Sequence, residues 1–261
     1  MRLPIYQIDA FADSIFQGNP AAVCPLENWL SDDLLQKIAE ENNLSETVYF
    51  VKENDGYHIR WFTPVTEVDL CGHATLASAY VIFTIFGHES DQISFNSKSG
   101  PLTVFRRDDS LVMDFPVTPL EICETPPEIV ESFGKAPLEV FRSDDYMAVY
   151  ENEEDIRLLS PDFAILERLE CRGVIATSTG ESSDFVSRFF APRCGINEDP
   201  VTGSAHCALT PYWSRKLGKT KLSARQLSKR GGDIQCQLIG DRVLLSGKAA
   251  KYLEGTIEIS M

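Results

Sequence analysis

Residues Arg188 to Leu209 read RFFAPRCGINEDPVTGSAHCAL and crowd Glu198, Asp199, Thr202, Ser204, His206 and Cys207 around a Thr-Gly-Ser turn. Reactive polar side chains beside a glycine mark backbone brought close to a ligand. An earlier stretch, Arg60 to Tyr80, says much the same: RWFTPVTEVDLCGHATLASAY. An Arg-aromatic-Phe-small-Pro lead-in occurs at Arg60 to Pro64 and at Arg188 to Pro192. A Glu-x-x-x-x-Gly-x-Ala core follows at Glu67 to Ala74 and at Glu198 to Ala205.

The echo continues downstream, where Ser97-Lys98-Ser99-Gly100 is answered by Ser228-Lys229-Arg230-Gly231. Core and downstream turn are both offset by 131 positions (203 − 72 and 231 − 100), the lead-in by 128 (188 − 60). Three echoes in one order indicate a duplication, and two copies are too few for a solenoid, which needs about three. Two similar halves facing each other are expected.

The elements that must position these residues follow from local patterns. Ile5 to Phe11 reads as a strand ending near Gly18-Asn19-Pro20, with Ala21 to Cys24 returning. Ser31 is a helix N-cap followed by Asp32 and Asp33, and Asn42-Asn43 is a stop. Leu44 to Val51 and His58 to Phe62 are strands, and His58 is read as structural. Ala74 to Phe83 is small and apolar on nearly every face, the pattern of a buried helix. Ser204 to Leu217 repeats it, with Pro211 expected to kink or restart the helix. Prolines 116, 119, 126 and 127 place a boundary between domains 1–117 and 118–261, with the last strand able to return to the first domain. Ser160-Pro161-Asp162 starts a further helix. In facing halves, the helix N-termini at Gly72-His73 and Gly203-Ser204 would both point N–H groups at an anionic ligand.

Composition narrows the class. The 261 residues are 43% apolar and 24% charged, ordinary for a globular chain. A net charge of −15 argues against nucleic acid as a partner. Seven scattered cysteines without a CxxC pair favour a reducing compartment, so a cytoplasmic protein is expected. The opening MRLPIYQIDAF lacks an apolar run typical of a signal peptide. The run from Ala77 to Phe86 is far short of the roughly 20 residues that span a bilayer, so no membrane is expected either.

Positions where the halves differ carry the functional information. Glu46 aligns opposite Ile175 or Ala176 and reads equally as a solvated strand-edge acid or a specialised one. His73 stands where the second copy has Ser204, at a helix start that favours a neutral imidazole. Glu67 reads as a turn or helix-end stabiliser, and Asp199, opposite Val68, as the more interesting acid. Cys71-x-His73 and His206-Cys207 suggest zinc, but no third and fourth ligand follow at metal spacing, so no metal is expected.

Taken together, Asp9-Ala10-Phe11, Gly18-Asn19-Pro20, Leu44-Ser45-Glu46-Thr47 and the cores Glu67 to Thr75 and Glu198 to His206 resemble the phenazine-biosynthesis PhzF-like isomerase family over nearly the whole chain. The resemblance implies a diaminopimelate-epimerase-type α/β fold: two pseudo-symmetric domains, each a β-barrel-like sheet around a central helix, with the active site between them. It also implies a cofactor-free isomerase, commonly a homodimer, acting on a small carboxylated substrate. Glu46 would then be the acid/base that moves a proton between substrate carbons, in a closed cleft that raises its pKa. His73, Asp199 and Ser204 would be its polar partners. Gly72 and Gly203, with Cys71 and Thr202 beside them, would bind near the substrate's carboxylate. Two other readings stand beside this one. A thiol-type racemase or epimerase would need a cysteine from each half, and Cys71 is matched by Thr202. A non-catalytic small-molecule binder on the same scaffold is the other.

Overall fold

The computed structural model describes residues 1–53 and 55–259. The chain forms two compact units, one made of residues 1–114 with the stretch from Leu245 onward, the other of residues 115–244. The division after residue 114 falls three residues before the expected boundary at 117/118, and the stretch from Leu245 onward groups with the first unit.

In the first unit the order is β1 (Arg2–Ala10), β2 (Asn19–Leu26), α1 (Asp32–Asn42), β3 (Glu46–Glu53), β4 (Gly56–Phe62), β5 (Glu67–Val68), α2 (Gly72–Tyr80), β6 (Gln92–Ser97), β7 (Gly100–Arg107) and β8 (Ser110–Pro116). β1 and β2 are antiparallel, β2 and β3 parallel, β3 and β4 antiparallel, β4 and β6 parallel, and β6 and β7 antiparallel. The second unit runs β9 (Glu121–Cys123), α3 (Pro127–Phe133), β10 (Glu139–Arg142), β11 (Tyr146–Val149), α4 (Glu153–Leu158), α5 (Phe163–Leu166), β12 (Val174–Thr179), β13 (Phe185–Ala191), β14 (Ile196–Asp199), α6 (Gly203–Leu217), β15 (Lys221–Gln226) and β16 (Gly232–Ile239). Its strands repeat the pattern: β10 and β11 antiparallel, β11 and β12 parallel, β12 and β13 antiparallel, β13 and β15 parallel, β15 and β16 antiparallel. β17 (Arg242–Gly247) leads to β18 (Ala249–Glu258), which pairs antiparallel with β1.

Local chemistry accounts for the helices. Ser31 caps α1 through its carbonyl, which accepts from Leu34 and Leu35 N–H, and Asn43 ends it at φ 48°. Leu35, Ile38 and Ala39 bury the face that packs on Tyr49 and Phe62. Every residue from His73 to Ala79 is buried, which small side chains permit because strands can close on all sides of α2. α6 stays one helix through Pro211, so the expected restart does not occur. The carbonyl that Pro211 leaves without its helical donor belongs to Cys207, and it accepts the Thr118 N–H at 3.1 Å. The helix start expected at Ser160-Pro161-Asp162 is capped by Asp162, whose carboxylate accepts from Ala164 and Ile165 N–H.

One ion pair recurs with the same geometry in both units. Arg60 Nε and Nη2 donate to Glu67 at 2.7 and 2.9 Å, and Arg188 does so to Glu198 at 2.7 and 2.9 Å. Each guanidinium also lies over a phenylalanine ring, Phe62 at 5.1 Å and Phe190 at 4.8 Å. Both acids are therefore ties between a strand and the segment leading to the central helix. The serine turns add a second tie: Ser99 Oγ donates to Asp69 O and Ser228 Oγ to Pro200 O, at 2.7 and 2.8 Å.

Strand register corrects one alignment. Tyr49 pairs with Arg60 and Ala176 with Arg188, so Glu46 corresponds to Gly173 rather than to Ile175 or Ala176. A Cβ on Gly173 would stand 2.5 Å from the Phe189 ring and 2.8 Å from Phe190 O, so the second unit has no room for an acid there. Among the described residues no helix is long and apolar enough to cross a membrane.

The repeated fork gives a stability expectation. Arg188→Met should cost roughly 3 kcal/mol, because it leaves Glu198, 21% exposed, without its partner. Breaking the exposed Arg225–Asp233 pair should cost less than about 1 kcal/mol. Urea denaturation of both variants checks the contrast.

Candidate active site

In the first unit, three expected site residues come together. Glu46 opens β3 and His73 lies in the first turn of α2; both are buried, with Glu46 Oε2 2.9 Å from His73 Nε2. The distance is that of an ion pair, although the two groups are not aligned as a good hydrogen bond. The other ring nitrogen, Nδ1, lies 3.5 Å from Cys71 Sγ and 3.2 Å from Asn19 Nδ2. The imidazole thus stands between an acid on one side and a thiol and amide on the other.

Charge follows from this arrangement. Burial acts to lower the His73 pKa, but Cys71 and Glu46 act the other way and hold it well above the ordinary histidine value. Burial, with the Glu46 charge adding to it, pushes the Cys71 thiol up. The helix dipole, which favours a neutral imidazole, is thus opposed by a carboxylate at contact distance.

Donor atoms of Glu46, Cys71 and His73 lie within 4.8 Å of one another, a set that could hold a metal ion. Sequence spacing misses the third member because Glu46 comes from a different strand.

In the second unit, Asp199 and Thr202 come together at the start of α6. Thr202 Oγ1 donates to Asp199 Oδ2 at 2.5 Å. Gln226, fully buried on β15, clamps this turn: its Nε2 donates to Asp199 O at 2.8 Å and its Oε1 accepts Thr202 N–H at 2.9 Å. Ser204 is exposed, and its Oγ accepts from Arg172 Nη1 at 3.0 Å. Gly72 and Gly203 are the first residues of α2 and α6, with Cys71 and Thr202 at the N-caps.

His206 has a different fate. Its Nδ1 lies 2.8 Å from Thr202 O, the contact that Thr75 Oγ1 makes with Cys71 O at the equivalent place in α2. Burial lowers its pKa to about 4, so it is a neutral staple of the helix start. A groove lined by Pro25, Phe50, Lys52, Tyr57 and Phe86 shares no residue with either cluster.

Asn19, Gln226 and Arg172 were not among the expected site residues. Asn19 had a signal in Gly18-Asn19-Pro20, where Gly18 sits at φ +65° and a Cβ would strike Ala10 O at 2.1 Å. Gln226 and Arg172 had none, since their partners are 24 and 32 residues away in the chain.

Residues 8–255 match the family model for phenazine biosynthesis-like proteins (PhzC-PhzF). The chain belongs to that family. An uncharacterized isomerase of Pseudomonas aeruginosa is 54% identical over 99% of this chain and 100% of its own. The crystal structure of a PhzF family protein from Enterococcus faecalis superposes with a TM-score of 0.97 at 45% identity, covering 99% of this chain and 100% of that one. A hydroxyproline epimerase from Agrobacterium vitis shares the fold alone: TM-score 0.61 at 11% identity, over 98% of this chain and 92% of that one. The α/β, epimerase-like fold class expected from sequence is thus observed.

His206 yields a pH expectation. An unfolded histidine titrates near 6.5 and the folded one at about 4. The unfolded chain takes up the proton first, so this contribution is complete above about pH 6.5 and is lost as pH falls towards 4, by roughly 3 kcal/mol in all. Stability measured by urea at pH 7 and pH 4.5 should fall less in His206→Gln than in the parent.

Proposed function

We propose that this protein is a cofactor-independent isomerase that moves a proton within a small carboxylated substrate, with Glu46 as general acid and base. The observation that carries the reading is a buried carboxylate held 2.9 Å from an imidazole at the start of a buried helix. Membership of a family with named isomerases supports it.

In this reading the Glu46 carboxylate takes a proton from a substrate carbon. The electron pair released shifts along the substrate, and the same carboxyl group returns the proton at a second carbon. The His73 imidazolium steadies the carboxylate before transfer, and N–H groups at the start of α2 face charge developing on the substrate. Asp199, Thr202 and Ser204 act as polar contacts from the second unit, in a cleft the reading places between the units. Base, acid and charge stabilisation all come from the chain. The same proposal takes the enzyme to be a cytoplasmic homodimer, by family likeness.

Thiol racemisation is disfavoured. Cys71 is held as a thiol, and the residue at the other N-cap, Thr202, has its hydroxyl bonded to Asp199. A hydroxyl is far too weak an acid to serve as the second base.

Proton NMR of dihydro-hydroxyanthranilate, the small carboxylated substrate that the likeness to PhzF-like isomerases suggests trying, tests the proposal in D2O. The parent should turn it over, and Glu46→Gln should be slower by roughly 10²- to 10⁴-fold, the usual worth of a general acid/base. Equal turnover by parent and variant would remove Glu46 from the mechanism. A Glu46→Gln variant that keeps every biological role of the parent would favour the non-catalytic binder.

A further inference from the structure

We propose that Arg172 holds the substrate's carboxylate, an inference that rests on the isomerase reading and names the group that recognises the substrate's charged end. The duplication exposes it. In the first unit the side chain of Glu46 meets residue 73 at the start of the central helix. In the second unit the equivalent of Glu46 is Gly173, which has neither a side chain nor room for one. The residue just before it, Arg172, reaches the equivalent of His73 instead: Nη1 donates to Ser204 Oγ at 3.0 Å. One half presents an acid at this place and the other a guanidinium.

The guanidinium is fixed before any ligand arrives. Nε donates to Asp145 Oδ1 at 2.9 Å and Nη2 donates to Asp145 Oδ2. The Asp145 side chain is 5% exposed, and the Cζ of Arg172 lies 5.3 Å over the Phe189 ring. Three of the five N–H groups are taken up by Asp145 and Ser204. One N–H on each terminal nitrogen is left, enough for a two-point contact with a carboxylate. The side chain remains 42% exposed, so a ligand can reach it.

A chain of net charge −15 repels a carboxylated substrate at long range and needs a local donor to hold it. Asp145 offsets much of the guanidinium's charge, so Arg172 contributes aimed hydrogen bonds more than net attraction. A lysine could neutralise Asp145 but could not also present a fork to the substrate.

The probes are hydroxyanthranilate, the aromatic counterpart of dihydro-hydroxyanthranilate, and its carboxamide, with binding followed by ligand-observed NMR titration. The parent should prefer the carboxylate at least about tenfold. Arg172→Met should raise the Kd of the carboxylate roughly 10- to 100-fold and leave the amide unchanged, the usual worth of hydrogen bonds to a charged group. Because that variant strands the buried Asp145, Arg172→Lys is measured beside it. Lysine keeps the fold, checked by near-UV circular dichroism, yet should lose most of the preference. A preference that survives in Arg172→Lys overturns the assignment, and so does a parent that shows none. Glu46→Gln separates the two readings: it should keep the carboxylate preference while losing turnover, and turnover left intact there would count against Glu46 as the proton carrier without touching the Arg172 assignment.

Discussion

A helix enclosed by strands can carry little bulk along its length, and its polar chemistry is forced to its ends. α2 and α6 both meet this constraint. The middle of α2 is built of alanine, serine, threonine and leucine, α6 adds bulk from Tyr212 and Trp213 in its second half, and hydroxyls such as Ser78 and Thr210 return to carbonyls one turn back. Their N-termini carry the N–H groups that no helical carbonyl can satisfy. The polar groups described above gather near these two points.

Each helix start must itself be held, and the two units use the same means. The Arg60–Glu67 and Arg188–Glu198 forks join the strand before the helix to the segment that turns into it. The serine turns after β6 and β15 fasten the same segment from the other side. These groups sit in the most polar stretches of the sequence, yet their work is structural. A repeated acid and a repeated base facing each other satisfy one another, and little is left over for a ligand.

Function enters where the duplication is broken. Glu46 and Gly173, His73 and Ser204, Thr75 and His206 each occupy one place in the fold with two different chemistries. In the first unit the pairing yields a buried carboxylate against an imidazolium, a group able to hold or release a proton. In the second it yields a directed donor fork on a serine, suited to an anion. Neighbours decide how each behaves: His206, buried against a carbonyl, has its pKa lowered to about 4, while His73, buried beside a thiol and a carboxylate, has its pKa raised.

The sequence alone determined the duplication, the two buried helices and the caps of α1, because each depends on residues near one another in the chain. Small residues on every face of Ala74 to Phe83 require burial whatever surrounds them, and Glu46, His73, Asp199 and Ser204 were legible as positions where the copies differ or the motifs concentrate. Only the tertiary structure decided which of them meet. Strand register moved the partner of Glu46 by two to three residues to Gly173, since a sheet is aligned by its hydrogen-bond ladder and not by residue count across a loop. Pro211 lies within a continuous helix because Thr118, 89 residues from Cys207 in sequence, supplies the donor that the Cys207 carbonyl lacks. The same holds for the charge on His73 and for the roles of Asn19, Gln226 and Arg172. A pKa and a clamp are set by groups within a few ångströms, and for these residues folding brings those groups together from distant parts of the chain.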